Sequence, residues 1–280
     1  MAFSVNTNAG ALFALQSLNT TNRQLDTVQT RINTGLKVNS AKDNAAVFAI
    51  AQGQRADLAG LESVKGSLAR ATSSVDVALA AAEAVSDLLI ELKGKATAAA
   101  DPGADAASRT ALNDEFKNLI SQINTVVDNA EFNGVNAVKN GGAAIQALVA
   151  LPDGTNSAAE YAISIAATDI SASSGLALTT GHVITSATAA STAITTITAA
   201  ESTVNTFLSK LGAGAKRVEI QGAFTEKLSS AIEVGIGNLV DADLARESAR
   251  LQSLQVKQQL GLQALSIANQ APGSVLSLFR

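Results

Sequence analysis

The 280-residue sequence contains no cysteine and no tryptophan, only three prolines, one histidine and one methionine. Without cysteine there are no disulfides, no thiolate metal sites and no cysteine nucleophile. The lone histidine, His182, sits in a Thr/Gly-rich stretch with no triad partner nearby in sequence, so it reads as a surface residue rather than a base or ligand. Aromatic residues are 3% of the chain although apolar residues are 47%. The hydrophobicity therefore comes from Ala, Leu, Val and Ile, which suit thin helix-on-helix seams better than a thick globular core. Charge is sparse as well: the formal net charge is −4, which offers no sequence-wide attraction to nucleic acid or to an anionic membrane. No window approaches the roughly 18 uninterrupted apolar residues that a membrane span needs. Neither nucleic acid nor membrane is an expected partner, and with no convergent His, Cys or acid cluster neither catalysis nor a cofactor or metal is expected.

What the chain carries instead is helical patterning, strongest at its two ends. From about Val5 to Thr34, Leu15, Leu18, Leu25, Val28 and Ile32 fall at spacings of three, four and seven, one stripe of a helix. Gly35 is placed to end it in a left-handed cap, with Leu36-Lys37-Val38-Asn39 as a connector. Ser40-Ala41-Lys42-Asp43 reads as a reciprocal cap for the next helix: Ser40 accepts from the amide of residue 43 while the Asp43 carboxylate reaches back. From Asn44 to about Ala100, Leu61, Leu68, Val75, Ala82 and Leu89 repeat every seven residues, and Val64, Ala71, Ala78, Val85 and Leu92 follow each by three. This is a coiled-coil ladder with many small residues, so its helices can approach closely.

Asp101-Pro102-Gly103 is a turn. A third helix is expected to bury Leu112, Phe116, Leu119, Ile123, Val126 and Ala130, and Asn133-Gly134 to end it with a second turn. Between about Val135 and Ala200 the helical period fades. Ile145–Leu151 and Tyr161–Ile165 read as strands of a β-hairpin joined through Pro152-Asp153-Gly154-Thr155, and the Thr/Ser/Ala-rich stretch from Ser171 to Ala200 as a small surface subdomain or irregular connection. Helical period returns near Ala200 with Val204, Leu208, Leu211, Ala215 and Val218, then Leu228, Ile232, Ile236 and Leu239. A last helix from Asp241 to about Gln270 carries Leu244, Leu251, Leu254, Leu262, Leu265 and Ala268, with Asp241 and Asp243 at its start as caps. Pro272-Gly273 is expected to stop it, leaving an apolar tail, Val275-Leu276-Ser277-Leu278-Phe279, that needs a pocket. Chain ends ordinarily fray. Ends that carry the best-patterned apolar faces point to a partner, and the expected partner is another copy of the chain.

The stretch Arg31-Ile32-Asn33-Thr34-Gly35-Leu36-Lys37-Val38-Asn39-Ser40-Ala41-Lys42-Asp43-Asn44-Ala45-Ala46 resembles the N-terminal signature of bacterial flagellin. Leu265-Ser266-Ile267-Ala268-Asn269-Gln270-Ala271-Pro272-Gly273-Ser274-Val275-Leu276-Ser277-Leu278 is similar to the family's C-terminal signature, and Val240–Glu247 to the part upstream of it. Phe132-Asn133-Gly134 and Leu211-Gly212-Ala213 are smaller matches. The resemblance covers about residues 1–140 and 200–280 in the expected order.

It implies a mainly α fold: a long coiled-coil helical bundle formed by the N- and C-terminal segments, with a small β-hairpin and irregular outer subdomain. Residues 1–43 and 241–280 would be the two halves of an inner coiled-coil domain, 44–134 and 201–240 the helices of a core domain, and 135–200 a reduced outer region. It implies a structural subunit that polymerises into the flagellar filament for motility, outside the cell, with subunits of its own or paralogous kind as partners. A flagellar export chaperone, the export apparatus, the filament cap and hook-associated junction proteins are implied too. Met1–Asn8 lacks the basic and apolar regions of a cleavable signal, so the expected route is the flagellar secretion channel. Assembly roles are implied for Leu15, Leu18, Leu25 and Ile32, for Asn39, Ser40, Lys42 and Asp43, and for Leu244, Leu251, Leu254, Leu265, Asn269, Gln270, Pro272, Val275, Leu276, Leu278 and Phe279.

Two departures bear on partners. Many flagellins carry an Arg and a Leu where this chain has Glu91 and Lys95, on the surface read by Toll-like receptor 5, so weak or absent recognition is expected. The usual Ser-Arg before the last helix is Gly237-Asn238 here. The nearest rival is a hook–filament junction protein, which shares terminal helices but is not expected to match Asn39–Asp43 this closely. A chemoreceptor-like signalling hairpin would need a continuous ladder around a central tip, whereas the middle of this chain is its least helical part.

Overall fold

The computed structural model describes residues 7–151, 160–179 and 181–276, with side chains described as far as residue 270. Its elements are α1 (Ala9–Thr34), α2 (Ala45–Ala100), α3 (Ala106–Asn129), β1 (Ile145–Leu148), β2 (Ala162–Ile165), α4 (Ala187–Val240) and α5 (Leu244–Leu276). The chain divides into two compact units, residues 57–230 and residues 1–56 with 231–280. The boundaries fall inside α2 and α4. No helix among the described residues is long and apolar enough to cross a membrane.

Residues 57–230 hold the larger core. All ten heptad positions of α2 that the spacing singles out, from Leu61 to Leu92, are buried. The turn into α3 is closed by the Asp101 carboxylate, which accepts from the Gly103 amide at 2.9 Å, and Asp105 caps α3 by accepting from the Ser108 amide at 2.7 Å. On α3, Phe116, Ile123 and Ala130 are buried as expected, but the fully buried partners beside them are Asn113, Ile120 and Val127, while Leu112, Leu119 and Val126 are only half-buried. The apolar stripe is broader than one seam and its centre lies one residue further on. Asn113 accounts for part of that turn: its Oδ1 accepts from the Ile184 amide at 3.0 Å, which holds the chain leading into α4 against this face.

Asn133 and Gly134 both adopt positive φ, 51° and 79°, and Phe132 and Val135 exchange two backbone hydrogen bonds of 3.0 Å across them. This is the tight turn that the Asn-Gly dipeptide favours. Behind it the buried Asn136 donates to the Val127 carbonyl at 2.8 Å and accepts from the Val138 and Lys139 amides, so one side chain ties the last turn of α3 to the segment after the turn.

β1 and β2 pair antiparallel with Ile145 opposite Ile165, so the expected hairpin is present; its turn, Pro152–Thr155, lies outside the described residues. Helical side chains satisfy the backbone beside it. The Leu148 amide donates to Ser67 Oγ at 3.0 Å, and Gln221 donates to the Val149 carbonyl at 3.2 Å. Two helical glycines make room for the hairpin: a Cβ at Gly214 would lie 2.5 Å from Ile165 Cδ1, and one at Gly60 would overlap Leu151. Glycine inside a helix costs about 1 kcal/mol relative to alanine; at Gly214 that cost is offset by the packing of Ile165.

The expected irregular stretch up to Ala200 is a correction. α4 begins at Ala187, with the Ser186 hydroxyl accepting from the Ala189 amide at 3.2 Å. Ala190, Ala193, Ile197 and Ala200 are buried at spacings of three and four and continue into Val204, Phe207 and Leu211. The exposed Ser and Thr hydroxyls between them bond back to carbonyls four residues earlier, as Thr192 does to Thr188 and Thr198 to Ile194. A single wall of small apolar residues thus supports a helix whose Ser/Thr content argues against one.

Asn113→Ala would leave the Ile184 amide buried without its acceptor. The expected cost is about 1–3 kcal/mol, seen as a lower urea midpoint with an unchanged slope for the purified chain.

Candidate functional site

The candidate site is the pairing of α1 with α5, and it is built from a backbone clasp outward. Gly35 ends α1 with φ 72°, the left-handed conformation that glycine adopts without strain, and its amide returns to the Arg31 carbonyl at 2.9 Å. The next residues pair with the junction of α4 and α5. The Gly35 carbonyl accepts from the Ala242 amide at 2.8 Å, and the Val240 carbonyl accepts from the Lys37 amide at 2.6 Å and from the Val38 amide at 3.3 Å. A small core of Val38, Ala51, Ile236 and Val240 closes over this clasp.

Asn39–Asp43 folds as a loop around one carboxylate. Asp43 Oδ2 accepts from the Asn39 amide at 3.1 Å, the Ser40 amide at 3.0 Å and the Ser40 hydroxyl at 3.2 Å. The expected reciprocal cap is corrected in one half. Asp43 does reach back, but the Ser40 hydroxyl donates to that carboxylate, and the Asp43 amide is taken by the Ser40 carbonyl. The helix is capped one residue later, where Asn44 Oδ1 accepts from the Val47 amide at 3.2 Å. The backbone donors of Ser40 and then Asn39 hold the Asp43 carboxyl below its ordinary value of 3.8, with Arg31 adding a smaller favourable charge. Lys42 is exposed.

From the clasp, α1 and α5 run antiparallel. Leu25, Val28 and Leu254 are buried between them, flanked by the half-buried Ile32 and Leu251. Three polar contacts step along the pair: Arg31 to Glu247 at 3.1 Å, Gln258 Nε2 to Asn22 Oδ1 at 2.8 Å, and Asn8 Nδ2 to the Ala268 carbonyl at 2.6 Å. On α5 the residues turned inward are Glu247, Leu251, Leu254, Gln258, Gly261, Leu265 and Ala268, an alternation of four and three. On α1 they are Ala11, Ala14, Leu18, Thr21, Leu25, Val28 and Ile32, at the same period. Gly261 faces Leu18 across the seam, where a Cβ would stand in ordinary contact with Leu18 Cδ1 at 3.4 Å.

Of the expected assembly residues, Leu18, Leu25 and Leu254 are buried in this seam and Ile32, Leu251 and Leu265 border it. Leu15, Leu244, Asn269 and Gln270 are exposed instead. Pro272, Val275 and Leu276 lie on α5 with side chains outside the described set, and Leu278 and Phe279 fall outside the described residues. Counting apolar residues alone passed over Arg31, Glu247, Asn22 and Gln258 and selected Leu244 and Leu262, which face away. The signal that would have found Glu247 and Gln258 is their heptad spacing from Leu254 and Leu251, respectively. Asp243, not Asp241, caps α5, by accepting from the Arg246 amide at 3.1 Å; Asp241 is engaged through its backbone opposite Leu36.

The expected stop at Pro272-Gly273 is also overturned, because α5 continues to Leu276. Proline lacks the N–H that the carbonyl of Ala268, four residues back, would receive. The Asn8 amide supplies a donor to that carbonyl from the other helix.

The paired ends belong to the segments that two family models match. The model described as the bacterial flagellin N-terminal helical region matches residues 5–140, and the one for the bacterial flagellin C-terminal helical region matches residues 194–279. Flagellin FljK of Caulobacter vibrioides is 48% identical over 277 residues, covering 99% of this chain and 98% of that protein. The chain belongs to the bacterial flagellin family. A flagellin of Brucella melitensis is 36% identical over 281 residues, covering 99% of both chains. The crystal structure of Bacillus cereus flagellin aligns with TM-score 0.47 and 22% identity, over 56% of this chain and 86% of that one. Flagellins are structural subunits of the extracellular flagellar filament, and no comparison favours a junction protein.

The lowered Asp43 carboxyl carries a sign. A depressed folded value means that the loop's extra stability is present above 3.8 and is lost as pH falls through the lower folded value. In an acid titration followed by NMR, the Asn39 and Ser40 amide signals should move together with the Asp43 carboxyl, at a midpoint below 3.8. A midpoint at or above that value, with the amides unmoved, is the contrary result.

Proposed function

We propose that this flagellar filament subunit assembles through its paired ends, with α1 and α5 first closing on one another and then meeting the same helices of neighbouring copies. The observation that carries this is the apolar surface left over once the seam is made. Phe13 is 72% and Ile267 70% exposed, and Leu12, Leu15, Val256, Leu260 and Leu262 lie on the same two helices with more than two-fifths of their surface open. A helix apolar on more than one side is unfavourable in water unless a second partner covers it. Packing supplies most of the stability of such helices, so both ends are weakly ordered in the free subunit and fold on polymerisation.

Within this reading the exposed Leu15 and Leu244 act between subunits, whereas Leu18, Leu25 and Leu254 act within one. The Asn39–Asp43 loop shapes the surface beside the clasp. Asn269, Gln270, Pro272, Val275, Leu276, Leu278 and Phe279 contribute to the same assembly surface at the end of the chain. The flagellar export chaperone, export apparatus, filament cap and hook-associated proteins are its transient partners, the β-hairpin and the loops between α3 and α4 form the reduced outer region, and the subunit catalyses nothing.

Removing residues 268–280 should abolish filaments, judged by electron microscopy after seeding, while circular dichroism still reports a helical, soluble chain. Normal filaments from that truncation would sink the assembly reading.

The departures at Glu91 and Lys95 support weak recognition by Toll-like receptor 5. Glu91 is exposed, and Lys95 is held by Glu115 at 2.6 Å, a hydrogen bond that raises its pKa and keeps the ammonium charged. An acidic group at a contact that expects Arg repels its partner. Purified subunit should give weak or no signal in a receptor reporter assay, and E91R with K95L should raise it; a strong response to the unaltered protein contradicts this.

A further inference from the structure

Of the contacts between α1 and α5, one amide engages both helices at once. Asn8 is the N-cap of α1: its Oδ1 accepts from the Ala11 amide at 3.1 Å, while its Nδ2 donates to the Ala268 carbonyl at 2.6 Å. That carbonyl is the acceptor left without its helical donor by Pro272, yet α5 carries on as helix to Leu276. The two helices are in contact here, since a Cβ at Gly10 would meet Ala268 Cβ at 3.9 Å. Asp or Ser at position 8 would keep the cap, but Asp has no proton to give and Ser is a shorter, single donor already directed at the cap.

We propose that Asn8 is a positioning residue that replaces the hydrogen bond missing at Pro272, so that helical order in the last turns of α5 depends on the first turn of α1. The two ends then fold as one unit. A subunit whose N-terminal turn has not formed leaves the Ala268 carbonyl unpaired and its final helical residues frayed. The length of α5 beyond Pro272 is thereby set by a residue 264 positions away rather than by local propensity, in which Pro-Gly argues for a stop.

The test compares full-length wild type, N8D, P272A and the N8D/P272A double variant by hydrogen exchange in seeded filaments, reading the amides after Ala268 against those of residues 250–265. N8D is expected to lose about five- to tenfold protection after Ala268, the size of one hydrogen bond, while the first turn of α1 stays protected because its cap is kept. P272A restores an N–H at residue 272, so in the N8D background it should return most of that protection. Unchanged protection in N8D, or no rescue by P272A, overturns the proposal. Should N8D fail to assemble, recovery of filaments in the double variant supports it and continued failure refutes it. The inference relies on the assembly reading only for the state in which both ends are folded. Failure of the wild type to form filaments would count against that reading alone, whereas with the wild type assembled the four-way comparison decides the role of Asn8.

Discussion

A helix poor in aromatics buries a narrow stripe, and that stripe is worth something only where another helix lies along it. This constraint governs both units. In residues 57–230 it is met for the most part within the chain: the α2 ladder from Leu61 to Leu92 is covered, α3 contributes Phe116 and Ile123, and the first half of α4 contributes Ile197, Val204 and Phe207, while Ile90, Ile220 and Phe224 stay exposed. The β-hairpin closes that core because Gly60 and Gly214 leave the space that Leu151 and Ile165 occupy. In residues 1–56 and 231–280 the constraint is met only in part. α1 and α5 cover one stripe of each other, and Phe13, Val256, Leu260 and Ile267 remain open.

That contrast gives the function its physical form. A unit that covers most of its own stripes is stabilised from within, and under the proposed assembly a unit that leaves stripes open is stabilised by further copies. The polar contacts within the seam favour one arrangement over others more than they add stability. Glu247 is nine-tenths buried, with one oxygen on Arg31 and the other unpartnered among the described residues. Such an ion pair is weak support for stability but penalises any pairing that separates its members. The amide pair of Asn22 and Gln258 works the same way without charge.

The readings that succeeded from sequence rest on short-range rules. The α2 heptads, the left-handed cap at Gly35, the Asn133-Gly134 turn and the strands at Ile145 and Ala162 each follow from residues within one or two turns of each other. The readings that failed share another trait. α4 starts at Ala187 because a wall of small residues finds a core, although its Thr content argues locally for a loop. The face of α3 turns toward Asn113 because Ile184, 71 residues later, offers an amide there. The inward residues of α5 include Glu247, Gln258 and Gly261, which an apolar count passes over.

By itself, then, the sequence determined the α2 ladder, the turns at Gly35 and Asn133-Gly134, the absence of thiol chemistry, and the apolar patterning of both terminal helices. It did so because periodicity, capping and turn preferences are local properties of the chain. Only the tertiary structure decided which face of each helix is covered, how α1 and α5 are aligned by the clasp of residues 35–38 on 240–242, and that α5 passes through Pro272. Each of those depends on a donor, acceptor or cavity supplied by a distant segment, and no local pattern records it.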